Sequence, residues 1–155
     1  MGTAMMLVVA GHQSSVTLLG NAAPSLLQNP DQLRLLREQP RLVPGAVEEF
    51  LRHDTSVEPS TSRHAADDIE LGGVAIPRGG MVVIALGAGG RDAPQAGGGD
   101  PAVLNVARLE STIALRTLLA RVPELELAVS ADSLEWIGSG IIRGALSLPV
   151  RYRVG

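Results

Sequence analysis

His12, Gln13 and Ser14 stand together inside an otherwise apolar stretch, residues 5–27, and these types could exchange a proton and orient a small molecule. An imidazole titrates near neutrality, so His12 facing a pocket can serve as acid or base. In a water-poor site, the Gln13 amide and the Ser14 hydroxyl would make stronger hydrogen bonds than they do in water. The same residues have a structural reading. Ser14, Ser15 and Thr17 can bond back to carbonyls one helical turn earlier, Gly11 permits close approach of another element, and His12 can be an ordinary helix histidine. Further on, Glu49 and Arg52 lie three apart, a spacing that brings them to one face of a helix as a charge-assisted pair.

Composition removes several chemistries. All 13 basic residues of the 155-residue chain are Arg, so there is no lysine for a Schiff base or a phosphate loop. Cysteine is absent, which excludes disulfides, thiolate nucleophiles and thiolate-ligated metals. A net charge of −3 without a basic tract argues against nucleic acid as partner. The three histidines, at 12, 53 and 64, match no metal-ligand spacing, so no metal is expected. Neighbouring carboxylates offer no paired acid–base site, because Asp67–Asp68 in a strand and Glu48–Glu49 on a helix are divided between faces. With Phe50, Trp136 and Tyr152 the only aromatic residues, a base-stacking platform is not expected.

These residues must be held by a single domain of mixed structure. Residues 5–27 predict a helix buried on more than one side; its length and its polar interruptions weigh against a membrane span. Asn29-Pro30-Asp31-Gln32 predicts a helix start with Asn29 as cap, and Pro40 a stop. Pro44 opens a second helix, with Val47, Phe50 and Leu51 as its apolar stripe. Residues 69–71 and 74–76 flank Gly72-Gly73 and predict a tight hairpin, with a further apolar strand over 81–86. Residues 87–101 read as a flexible glycine-rich loop. Asn105 is expected to cap a helix whose apolar face is Val106, Leu109, Ile113, Leu118 and Val122. Residues 125–129 read as a strand and 141–154 as a closing hairpin. The chain start lacks the basic region of a signal peptide, which makes the cytoplasm the expected location.

The order of segments carries a resemblance. Ala10-Gly11-His12-Gln13-Ser14-Ser15 is followed by Glu49-Phe50-Leu51-Arg52, Arg63, Gly72-Gly73-Val74-Ala75-Ile76-Pro77-Arg78-Gly79, Arg91-Asp92, Ala107-Arg108-Leu109-Glu110 and Ser147-Leu148-Pro149-Val150. This series resembles the C-terminal half of an actinobacterial-type cytochrome P450. The resemblance implies an α+β, mostly helical, truncated P450-like fold with small β-hairpins, forming one domain over residues 1–155. It makes residues 5–27 the second half of the long helix over the haem, Glu49 and Arg52 the structural Glu-x-x-Arg pair, and Arg63 a haem-propionate contact. Gln13 and Ser14 fall where family members usually carry an acid and a threonine for dioxygen protonation. The departure is the ligand loop: residues 97–105, before Ala107-Arg108-Leu109-Glu110, are shortened and contain no cysteine.

An axial thiolate drives O–O cleavage in this family, so its loss removes the oxygenase chemistry and no haem is expected. Three functions then follow. One is a haem-free enzyme of specialised metabolism, such as antibiotic biosynthesis, performing an isomerisation, cyclisation or elimination on an apolar small molecule with His12, Gln13, Ser14 and Arg63. Another is a non-catalytic binding or accessory protein that forms a homo-oligomer, or binds a partner protein, through the apolar faces that the missing half would cover. The third is a P450 remnant recognisable by descent and retaining little activity of its own.

Overall fold

The computed structural model describes residues 2–92, 101–138 and 140–153. Helix α1 (Gly2–Leu27) contains no Asp, Glu, Lys or Arg, and Pro24 sits within it. Its second half is buried at Leu18, Ala22 and Leu26. In its first half Met5 and Val8 are not covered as expected, each being 70 % exposed. No helix of the described residues is long and apolar enough to cross a membrane.

Helix α2 (Pro30–Glu38) begins with Pro30 in the first turn, where its missing N–H costs nothing. Asn29 does not cap it. Its amide instead donates to the Ser25 carbonyl oxygen at 2.7 Å, closing the end of α1. A 3₁₀ turn (Pro40–Leu42) leads into α3 (Val43–His53), where Val43 and Val47 are buried. The core gathers Leu26, Leu33, Leu36, Val43, Val47, Leu115 and Leu119, with Phe50 and Leu51 packed against it.

Six short strands follow: β1 (Arg63–His64), β2 (Ile69–Leu71), β3 (Val74–Ile76), β4 (Met81–Val82), β5 (Glu124–Leu127) and β6 (Val150–Arg153). They pair antiparallel as β1–β4, β2–β3 and β5–β6, three separate two-stranded ladders. The β2–β3 turn holds Gly72 at φ 57° and Gly73 at φ 80°, the left-handed pair that a tight primed hairpin requires. Residues 81–86 form less strand than expected, because Leu86 already opens helix α4 (Leu86–Asp92). That helix replaces the first part of the expected 87–101 loop, and residues 93–100 lie outside the described residues.

Helix α5 (Pro101–Arg121) starts four residues before Asn105, which therefore lies inside it and is no cap. Its buried row is Ser111, Leu115 and Leu119; Val106, Leu109 and Ile113 are exposed, the reverse of the face expected from their apolar spacing. Among the described residues, the hairpin expected over 141–154 does not form. Instead β6 returns to β5 in the register Glu124–Arg153, Leu125–Tyr152, Glu126–Arg151 and Leu127–Val150, which sets opposite charges across the ladder.

Candidate functional site

The chemistry-bearing residues are distributed over separate elements. His12 and Gln13 are exposed on α1, and Gln13 Nε2 donates to Thr17 Oγ1 at 3.4 Å, a bond within the helix. The Ser14 side chain lies outside the described residues. Arg63 is exposed on β1, paired in the strand with Val82. Ser15, expected to bond back within its own helix, is buried and instead donates through Oγ to Glu110 Oε2 on α5 at 2.9 Å.

Glu49 and Arg52 do meet, on α3: Arg52 donates through Nε to Glu49 Oε2 at 3.0 Å and through its second guanidinium arm to Glu49 Oε1. Arg52 also reaches the Arg91 carbonyl oxygen at 3.1 Å, tying α3 to α4. The hydrogen bond from Arg52 holds the Glu49 carboxyl below the usual carboxylate range. A depressed folded value means that the pair stabilises fully above that range and loses its contribution as pH falls through the lowered value. We expect the gap in melting temperature between the native protein and Glu49→Gln to narrow as pH is taken from about 6 to about 3, read by circular dichroism. A gap that widens on acidification would contradict this pairing.

A second pair, missed in the sequence, joins α3 to α5: Arg108 Nε donates to Glu48 Oε1 at 2.6 Å and its Nη2 to Glu48 Oε2 at 3.1 Å. No local spacing announces it, since the partners are 60 positions apart.

The most built polar assembly is structural and centres on Asn21, 2 % exposed. Its Nδ2 donates to the carbonyl oxygens of Asp54 at 3.2 Å and Arg143 at 2.9 Å. Ser25 Oγ adds a 2.7 Å bond to Asp54 Oδ2. Around them residues 56–58 run alongside 141–143, with Glu58 N donating to the Ile141 carbonyl and Arg143 N to that of Ser56. Gly144 completes the fit, since a Cβ there would lie 2.7 Å from Thr17 Cγ2. Glu58 is flanked by Arg143 at 3.3 Å and Arg91 at 3.5 Å, and the Arg143 guanidinium stands 5.0 Å from the Trp136 ring centre. An asparagine among the apolar residues of the second half of α1 is the sequence signal for this joint.

Between α1, α2, α5 and β5 lies an apolar groove of about 260 Å³, with Leu19, Ala23, Leu27, Ala114 and Leu118 among its walls. Among the described side chains, those of His12, Gln13 and Arg63 do not line it.

This helical framework edged by short hairpins matches part of a larger solved fold. The solved tirandamycin C-bound P450 monooxygenase TamI matches 97 % of this chain at 36 % identity and a TM-score of 0.87, the match covering 43 % of that chain. Cytochrome P450 107B1 of Saccharopolyspora erythraea is 42 % identical over 168 aligned positions, covering 94 % of this chain and 41 % of that protein. The polyketide biosynthesis cytochrome P450 PksS of Bacillus subtilis is 35 % identical, with 94 % and 41 % covered. No protein-family model matches the chain. The chain belongs to the bacterial cytochrome P450 family and spans about two-fifths of the length of the curated relatives it matches. The 168 positions of the 107B1 alignment exceed the 155 residues here, so that relative contains residues with no counterpart in this chain.

Haem, which the family implies, does not fit the donors present. The sequence has no thiolate, and His12, His53 and His64 are exposed on α1, α3 and β1. His53 Nδ1 is turned toward Asp54 Oδ1, 3.5 Å away. Among the described residues no group of three or more His, Cys, Asp or Glu could hold a metal ion.

Proposed function

We propose that this chain is a non-catalytic binding component built on the P450 framework, acting in bacterial specialised metabolism through its apolar faces. One observation carries the reading: α1 has 26 residues and no charge, yet Met5, Val8 and Val16 on it are exposed. An exposed helix ordinarily keeps a charged face, and uncovered apolar surface of this kind marks an interaction site. The relatives supply the setting, since PksS is a polyketide-biosynthesis protein and TamI was solved with tirandamycin C.

The enzymatic reading, a non-redox isomerisation, cyclisation or elimination by His12, Gln13, Ser14 and Arg63, has less support. The side chains of His12, Gln13 and Arg63 do not line the apolar groove, and an exposed imidazole gains nothing from water exclusion.

The purified protein, incubated with haem and freed of excess, should show no stoichiometric Soret band and should sediment as a complex with itself or with an added partner. A stoichiometric Soret band, or a strictly monomeric chain that turns over an apolar substrate and loses that activity in His12→Ala, would overturn the reading.

A further inference from the structure

We propose that the apolar groove between α1, α2, α5 and β5 takes the tail of an aliphatic carboxylate of about ten carbons, whose head group pairs with Arg37 at one end of the groove. This goes beyond the binding reading above and uses a different surface, since Met5, Val8 and Val16 do not line the groove. The tail follows from the walls. Every lining residue is Leu or Ala, from Leu19 on α1 to Leu125 on β5. A hydroxyl or amide placed among them would lose its bonds to water without replacement. An apolar cavity of about 150 Å³ accepts a six-carbon ring. The groove, at about 260 Å³, therefore suits a chain of about ten carbons.

The head group follows from what adjoins the groove. A second, polar pocket of about 520 Å³ shares Leu125 with it, and Arg37 lines that pocket four positions after Leu33 of the groove wall. Four positions set the two on one face of α2, the leucine buried and the arginine half-buried. Arg37 is an uncompensated cation: among the described residues no carboxylate pairs with it. It donates through Nη2 to the Val122 carbonyl oxygen at 3.1 Å, and its Nε is buried without a partner. Both glutamates of the pocket are already held, Glu124 by Arg153 at 3.1 Å and Glu126 by Arg151 at 3.7 Å. A buried guanidinium N–H without an acceptor is costly. A carboxylate answers it with charge-assisted bonds in the fork geometry, which an uncharged head group cannot match.

The test is isothermal titration of the whole chain with decanoate, 1,2-decanediol and butyrate near neutral pH. Decanoate should bind saturably, one molecule per chain. Butyrate keeps the charge but lacks most of the tail, and should bind at least about 100-fold more weakly. The diol keeps the tail without the charge, and should bind about 10-fold more weakly. Arg37→Gln should weaken decanoate about 10-fold and leave the diol within about twofold of its native value. Ala114→Leu on α5, or Ala23→Leu on α1 where the first does not fold, fills the groove and should weaken both ligands at least about 10-fold.

Binding that does not saturate, decanoate bound no more tightly than the diol, or an affinity for decanoate indifferent to Arg37→Gln overturns the proposal. No decanoate bound at millimolar concentration overturns it as well, and dimers in sedimentation would then assign the groove to a second copy. These outcomes separate from those of the haem experiment. A Soret band defeats the reading above and leaves the decanoate titration as it stands, while failure of the titration defeats this proposal alone.

Discussion

Leu36→Ala should cost about 3–4 kcal/mol of folding stability, and Leu115→Ala nearer 2 kcal/mol, although both remove the same atoms from the same core. Leu36 is 6 % exposed, belongs to the same buried cluster as Val43 and Val47 and does not line the groove, so its removal leaves an enclosed void. Leu115 is 3 % exposed but also forms part of the groove wall, where the truncation merely deepens an opening already reached by solvent. For a chain of this length each kcal/mol moves the melting point by about 2–4 °C. Leu36→Ala should therefore melt about 6–16 °C below the native protein, read by calorimetry or circular dichroism. The reverse order of the two variants would mean that the groove is closed in solution.

Asn21→Leu should cost about 2–4 kcal/mol, in spite of replacing an amide by an apolar group of similar size in an apolar helix. The loss is not in the helix. It falls on the carbonyl oxygens of Asp54 and Arg143, which lose the donor that the buried amide supplies to both. Each buried acceptor left without a partner costs about 1–3 kcal/mol. Asn21 Oδ1 has no protein partner, so its removal returns part of that cost and keeps the total below the sum. Asn21→Asp should be worse, since a carboxylate would face two carbonyl oxygens. Equilibrium urea unfolding distinguishes these outcomes. A neutral Asn21→Leu would show that water already serves both carbonyls.

The sequence was readable where local chemistry decides the structure. Gly72-Gly73 must adopt positive φ to close a two-residue turn, and it does. Pro30 and Pro40 punctuate α2 from both sides because a proline N cannot donate. Glu49 and Arg52 meet because three positions bring them to one helix face. Misreadings arose where burial depends on distant elements. Val106, Leu109 and Ile113 have the spacing of a buried face, but the row that packs inward is Ser111, Leu115 and Leu119; a buried serine carries no hydrophobic signal. The same cause explains α1, whose apolar residues predict cover along the whole helix while Met5 and Val8 in its first half are exposed. Arg63 and the α1 polar run were expected to share one site from the resemblance. In this chain His12 and Gln13 are exposed on α1 and Arg63 on β1, while Ser15 of the same run is buried against Glu110.

The bond from Asn21 to the Arg143 carbonyl joins residues 122 positions apart, and it gives the joint a place in time. Helix α1 leaves the ribosome about a hundred residues before Leu115 and Leu119, against which it packs, and Arg143 emerges later still. At about 5–20 residues per second, the nascent chain carries an uncharged helix without its final neighbours for about 6–25 s. Local helix formation takes about a microsecond or less, so α1 is formed long before it is covered. Synthesis, and not the folding step itself, therefore sets how long this surface is open to chaperones or to a waiting partner.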